Sequence, residues 1–88
     1  MDIANIKIFP VASSDTLLGF AEIEIGNFLR LSGIGIHAGS KQGEIRLTYP
    51  SRKVGEGQKF YFQPLNREVN EKFREIIYEE CQKIGLFQ

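Results

Sequence analysis

Apolar and polar residues alternate along most of the chain up to Phe62, and after that the period changes. The clearest run is residues 18–25, where Gly19, Ala21, Ile23 and Ile25 fall on one side and Phe20, Glu22 and Glu24 on the other. Such period-two alternation is what a strand with one buried and one wet face requires. Before it, residues 3–9 are rich in β-branched side chains and stop at Pro10, which has no N–H for a ladder, so they predict a first strand. Ser13, Ser14, Asp15 and Thr16 supply turn chemistry between the two. Gly26-Asn27 marks a tight turn, and residues 28–31 resume the extended pattern as a hairpin partner. Ile34 and Ile36 carry that strand onward, while Gly33 and Gly35 point to a bulge or a close backbone approach. After turn residues 39–43, Ile45, Leu47 and Tyr49 alternate with Glu44, Arg46 and Thr48 in a fourth strand that Pro50 ends. Phe60 and Phe62 alternate with Lys59, Tyr61 and Gln63 in a fifth, which runs into Pro64.

Beyond Pro64 the spacing becomes helical. Val69, Phe73, Ile76, Ile77, Cys81 and Ile84 fall on one stripe, Asn66 is placed as an N-cap, and Gly85 stands where a helix end favours glycine. The pattern predicts an amphipathic helix over residues 67–84, packed on one face of the sheet because neither element can bury its apolar side alone. The expected architecture is α+β: a meandering antiparallel sheet of about five strands with one C-terminal helix. Eighty-eight residues support one hydrophobic core and not two, so residues 1–88 read as a single domain.

Composition narrows the class. No apolar stretch approaches the roughly 20 residues that span a bilayer, and no basic segment leads into an apolar run at the start, so the chain reads as cytoplasmic. The lone Cys81 lies on the helical stripe, which fits a small core residue in a reducing compartment. The net charge of zero conceals an uneven distribution: residues 41–74 carry eight cations against four acids, and the segments on either side are acidic. A fold that gathers the middle segment on one face would attract polyanions; locally balanced surface ions are the plainer reading.

Several catalytic readings fail on their own requirements. Residues 33–38, Gly-Ile-Gly-Ile-His-Ala, formally match a dinucleotide fingerprint, but that motif works by opening a helix and here a turn follows. A single histidine, His37, and a core-facing cysteine make no nucleophile–base pair and no metal ligand set. The helix acids Glu68, Glu71, Glu75 and Glu79 are interspersed with Lys72, Arg74 and Lys83, as on a solvated ion-paired face. The residues therefore point to a protein that is not an enzyme, with no cofactor, metal or small-molecule substrate. What remains is residues 48–62, where Arg52 and Lys53 follow Pro50 on a connection softened by Gly55 and Gly57 and closed by Lys59. Read as a mobile loop over residues 50–59, it could follow a phosphate backbone, with Arg67 and the first helical amides beside it and Lys72 and Arg74 continuing the basic trend. On the residues alone, nucleic-acid binding and a protein-interaction module using Tyr49, Tyr61 and Tyr78 both stay open.

The order of motifs resembles the SpoVG family, the stage V sporulation protein G or putative septation proteins. The similar stretches are Ile3-Ala4-Asn5-Ile6-Lys7-Ile8, Ala21-Glu22-Ile23-Glu24-Ile25 and Tyr49-Pro50-Ser51-Arg52-Lys53. They are followed by Gln63-Pro64-Leu65-Asn66, where the family usually has His-Pro-Ile-Asn, and the match spans about residues 3–84. The resemblance implies a small cytoplasmic bacterial regulator that forms homodimers and binds DNA, and in some members RNA, in sporulation, septation or virulence gene expression. Carried onto this sequence, it implies nucleic-acid contacts at Arg52 and Lys53 on the loop and at Arg67, Lys72 and Arg74 on the helix, and Lys59, which ends the same loop, joins them as a candidate. Dimers would form through strand edges, which an open sheet this small leaves unpaired.

Overall fold

The computed structural model describes residues 2–12, 16–41 and 43–86. The chain forms β1 (Ile3–Pro10), β2 (Leu17–Ile25), β3 (Leu29–Ala38), β4 (Ile45–Thr48), β5 (Ser51–Val54), β6 (Gly57–Phe60) and α1 (Arg67–Lys83). The first four strands make one antiparallel sheet in the order β1-β2-β3-β4, so each strand lies beside its neighbour in sequence. This is the α+β meander with a C-terminal helix that the pattern predicts.

The region after Pro50 differs from the expectation in two ways. Residues 50–59 are not a loose loop: β5 and β6 pair as a separate two-stranded ribbon, with Ser51 opposite Phe60 and Val54 opposite Gly57. Gly55, at φ 60°, and Glu56 make the turn. The predicted fifth strand is therefore not in the main sheet, since Phe60 ends the ribbon strand β6 and its partner is β5. Alternation reports that a segment is extended but not which strand it pairs with, and proline at position 50 interrupts the ladder just where the chain leaves β4. Phe28, expected in the third strand, belongs instead to the turn Gly26-Asn27-Phe28. Most of the turn predicted around Ser13, Ser14 and Asp15 lies outside the described residues, as does Gln42.

The core lies between the sheet and the helix. Ala21 and Ile23 of β2, Ile34 and Ile36 of β3, Ile45 of β4, and Phe73, Ile77 and Cys81 of α1 are buried together. The glycines of β3 explain how Leu31 joins them. Ala21 faces Ile34 and Ile23 faces Leu31, so β3 uses one residue more than β2 over that interval, and Gly33 within it has φ 81°. The bulge shifts the alternation by one, which turns Leu31, Ile34 and Ile36 to the same face despite their mixed odd and even numbers. The helix begins with Asn66 in extended backbone, its side-chain oxygen accepting from the Val69 N–H at 3.0 Å. It ends with the Gly85 N–H on the Gln82 carbonyl and the Leu86 N–H on the Cys81 carbonyl, Gly85 at φ 74°. That closure brings Leu86 against the core, whereas Ile84, assigned to the buried stripe from its spacing, is 48% exposed. The helix spans the sheet, packing against the edge strands β1 and β4.

Candidate nucleic-acid interface

The ribbon is rooted by two aromatic residues that bracket it. Tyr49 precedes β5, Phe62 follows β6, and their rings meet edge-on with centroids 6.1 Å apart. The Tyr49 hydroxyl donates to Asn70 Oδ1 at 2.7 Å, which ties this root to the second turn of α1. Burial pushes the Tyr49 phenol up to about 12. Across the root the Tyr61 N–H donates to the Pro50 carbonyl. The ribbon and the helix start are thus held together at one place, and Tyr49 is committed to that clamp instead of being presented to a partner.

Alternation along the ribbon sorts its cations. Arg52 and Lys59 stand directly opposite each other and share one face with Val54; Lys53 is on the other face with Ser51, Gln58 and Phe60. Arg52 and Lys53, neighbours in sequence, therefore point in opposite directions. A like-charge pair directly across a ribbon is unfavourable, and among the described residues neither cation has an acidic partner. Arg67 opens the helix, exposed beside the Asn66 cap, where free amides and the positive end of the helix dipole add to the potential. Lys72 is exposed further along α1.

Arg74 belongs elsewhere. It is ion-paired with Glu71, and it lines a cleft with Lys41, Glu44, Glu75 and Tyr78 beside the β3–β4 connection. Their hydrogen bond holds the Glu71 carboxyl below, and the Arg74 guanidinium above, its ordinary value. The six cations named from the sequence therefore divide into a ribbon group (Arg52, Lys53, Lys59), a helix-start residue (Arg67), exposed Lys72 and a neutralised Arg74. The Tyr49–Asn70 clamp that joins the first two groups has no signature in the sequence, because it connects residues 21 positions apart.

The SpoVG family model matches residues 1–83 of the 88-residue chain. The chain belongs to the SpoVG family. No curated protein matches it closely enough to add a relative to that finding. SpoVG is not a known enzyme family. In this SpoVG chain the dinucleotide-like residues 33–38 lie inside β3, with no helix after them to receive a pyrophosphate. Among the described residues, no three His, Cys, Asp or Glu side chains are gathered to hold a metal, and no helix is long and apolar enough to cross a membrane. The thiol of Cys81 is fully buried, and desolvation, with Glu80 nearby, pushes it up to about 11.

Proposed function

We propose that this SpoVG chain is a non-enzymatic regulator that binds DNA, and RNA in the same way, through phosphate contacts made by the ribbon and the start of α1. The carrying observation is the Arg52–Lys59 pair: two unpaired cations opposed across a two-stranded ribbon, an arrangement unfavourable in the free chain that a phosphate would relieve. Lys53, Arg67 and Lys72 extend the same electrostatic reach, and the helix amides at Arg67 favour an anion. Family membership supports a setting in sporulation-related regulation in the bacterial cytoplasm.

The test is fluorescence anisotropy of labelled duplex DNA against protein over a range of salt. Each phosphate contact contributes a slope of about 0.9 in log affinity against log salt, so Arg52→Ala with Lys59→Ala lowers the slope by roughly two units. Lys53→Ala alone lowers it by at most one. Affinity that ignores salt, or a double variant with the parent slope, rejects this reading.

The same ribbon also exposes apolar groups, which favour a second role beside the first. Val54, Phe60 and Tyr61 are exposed, and Leu65 is 95% exposed just before the helix cap. Exposed apolar side chains on a ribbon with free edges suit contact with a second copy of the chain, which would double the basic surface. If duplex binding fails while self-association holds, the protein is a protein-interaction module of division or septation.

A further inference from the structure

The face of the main sheet turned away from α1 carries a row of flat rings. Phe9 of β1 stands directly opposite Phe20 of β2, and Phe20 directly opposite Gly35 of β3. Gly35 has no side chain, and the imidazole of His37 lies over it: a Cβ at Gly35 would come within 3.1 Å of His37 Nε2 and would collide with the Thr48 hydroxyl. The ring is held on both sides, Nε2 against Thr48 Oγ1 at 3.0 Å and Nδ1 against Thr16 Oγ1 at 3.3 Å. Three rings on three adjacent strands thus share one row, and no described element covers it: Phe9 is 50% and Phe20 38% exposed. Neither phenylalanine is stacked on another ring among the described residues, and both keep part of their surface open to solvent.

Cations stand at both sides of the row. Lys7 lies two residues before Phe9 on the same face of β1, and Arg46 of β4 is the cross-strand neighbour of His37; both are exposed. The acids of this face are already engaged, Glu22 and Glu24 by Arg30 at 3.2 and 2.6 Å, with Lys7 opposite Glu22. The surface therefore joins partly exposed aromatic rings to flanking positive charge, and the described acids on it, Glu22 and Glu24, are both paired. A four-stranded antiparallel sheet with a helix on one side and aromatic residues on the open side is a surface on which splayed bases stack. Duplex DNA keeps its base faces hidden, whereas RNA loops present them.

We propose that Phe9, Phe20 and His37 form a stacking platform for the bases of an unpaired RNA strand, whose phosphates pass Lys7 and Arg46. The platform uses none of the ribbon cations, so it stands or falls separately from the reading of the ribbon. The sequence contains no tryptophan, so Phe9→Trp on an exposed edge strand places one reporter at the site. Titrated with a uridine 12-mer at low salt, that variant is expected to lose indole emission as bases stack on it. In parallel, Phe9→Leu with Phe20→Leu, both kept apolar and strand-compatible, is expected to weaken the same oligomer about tenfold or more. Duplex DNA binding by this double variant should match the parent. Emission unmoved by saturating oligomer overturns the platform, as does equal weakening of duplex and single strand. Emission that changes with protein concentration alone, and not with RNA, also overturns it and gives the face to a second copy of the chain.

Discussion

At Tyr49 and Cys81, burial works on the proton as well as on the packing. Both groups hold their proton more tightly folded than unfolded, because burial disfavours the phenolate and the thiolate. The folded chain therefore binds more protons than the unfolded one at high pH, and stability falls as pH rises. The fall runs from 9.0 to about 11 for Cys81 and from 10.0 to about 12 for Tyr49. Urea unfolding at a series of pH values should give a midpoint that is flat with respect to these groups below their ordinary values and drops above them. Tyr49→Phe and Cys81→Ala, each referred to its own midpoint at pH 8, should each flatten part of that drop. A parent midpoint that does not change up to pH 11 would contradict the burial of both protons. Much at this scale is legible in the sequence: Cys81 as a core residue follows from its place on the stripe, and the Gly33 bulge from a glycine inside a β pattern. The hydrogen bond from Tyr49 to Asn70 is not legible, since it joins a strand end to a helix through tertiary packing.

For the elements, local chemistry decides boundaries and long-range pairing decides partners. The helix is set by its own residues at both ends, so Asn66→Ala should cost about 1 kcal/mol and lower the thermal midpoint by roughly 4–8 °C, read by circular dichroism. A change under 1 °C would mean that the cap bond at 3.0 Å contributes little in solution. The strands of the meander are equally local, each pairing with its sequence neighbour. The ribbon is where sequence reading stops short. Gly55 and Gly57 look like a flexible connection, and the four residues on either side of the turn are too short and too charged to announce strands. Its pairing also reassigns chemistry, because strand geometry sends Arg52 and Lys53 to opposite faces and brings Arg52 to Lys59. An isolated two-stranded ribbon is marginal in water, and this one is joined to the rest of the protein at its root through Tyr49, Phe62 and Asn70.

The molecule as a whole has more surface than its size calls for. Its accessible area is 6314 Å², against roughly 5,200 Å² for a monomer of this mass. The Cα radius of gyration is 13.3 Å, where about 12 Å suits a compact chain of this length. A ribbon paired with itself and not with the main sheet adds to both, and an excess of this order leaves ample area for one side of a standard interface, about 800 Å². Sedimentation velocity at tens of micromolar should give twice the chain mass of 10.0 kDa. Phe60→Ser with Leu65→Ser should shift that distribution toward one chain. A parent that sediments at the single-chain mass ends the dimer reading.

Joined to the body at its base through Tyr49, Phe62 and Asn70, the ribbon has the geometry of a lever. Four residues of strand reach about 13 Å, so a tilt of only ten degrees or so at the fulcrum carries the Gly55-Glu56 tip by about 2 Å. If the chain pairs and binds phosphates as proposed, the span between two such tips, and with it the spacing of phosphates two arms would grip at once, depends on the part-buried Tyr49 hydroxyl at the fulcrum. On the proposed reading Tyr49 would then be a calibration point for the length of site the protein measures, although it carries none of the charge assigned to the ligand.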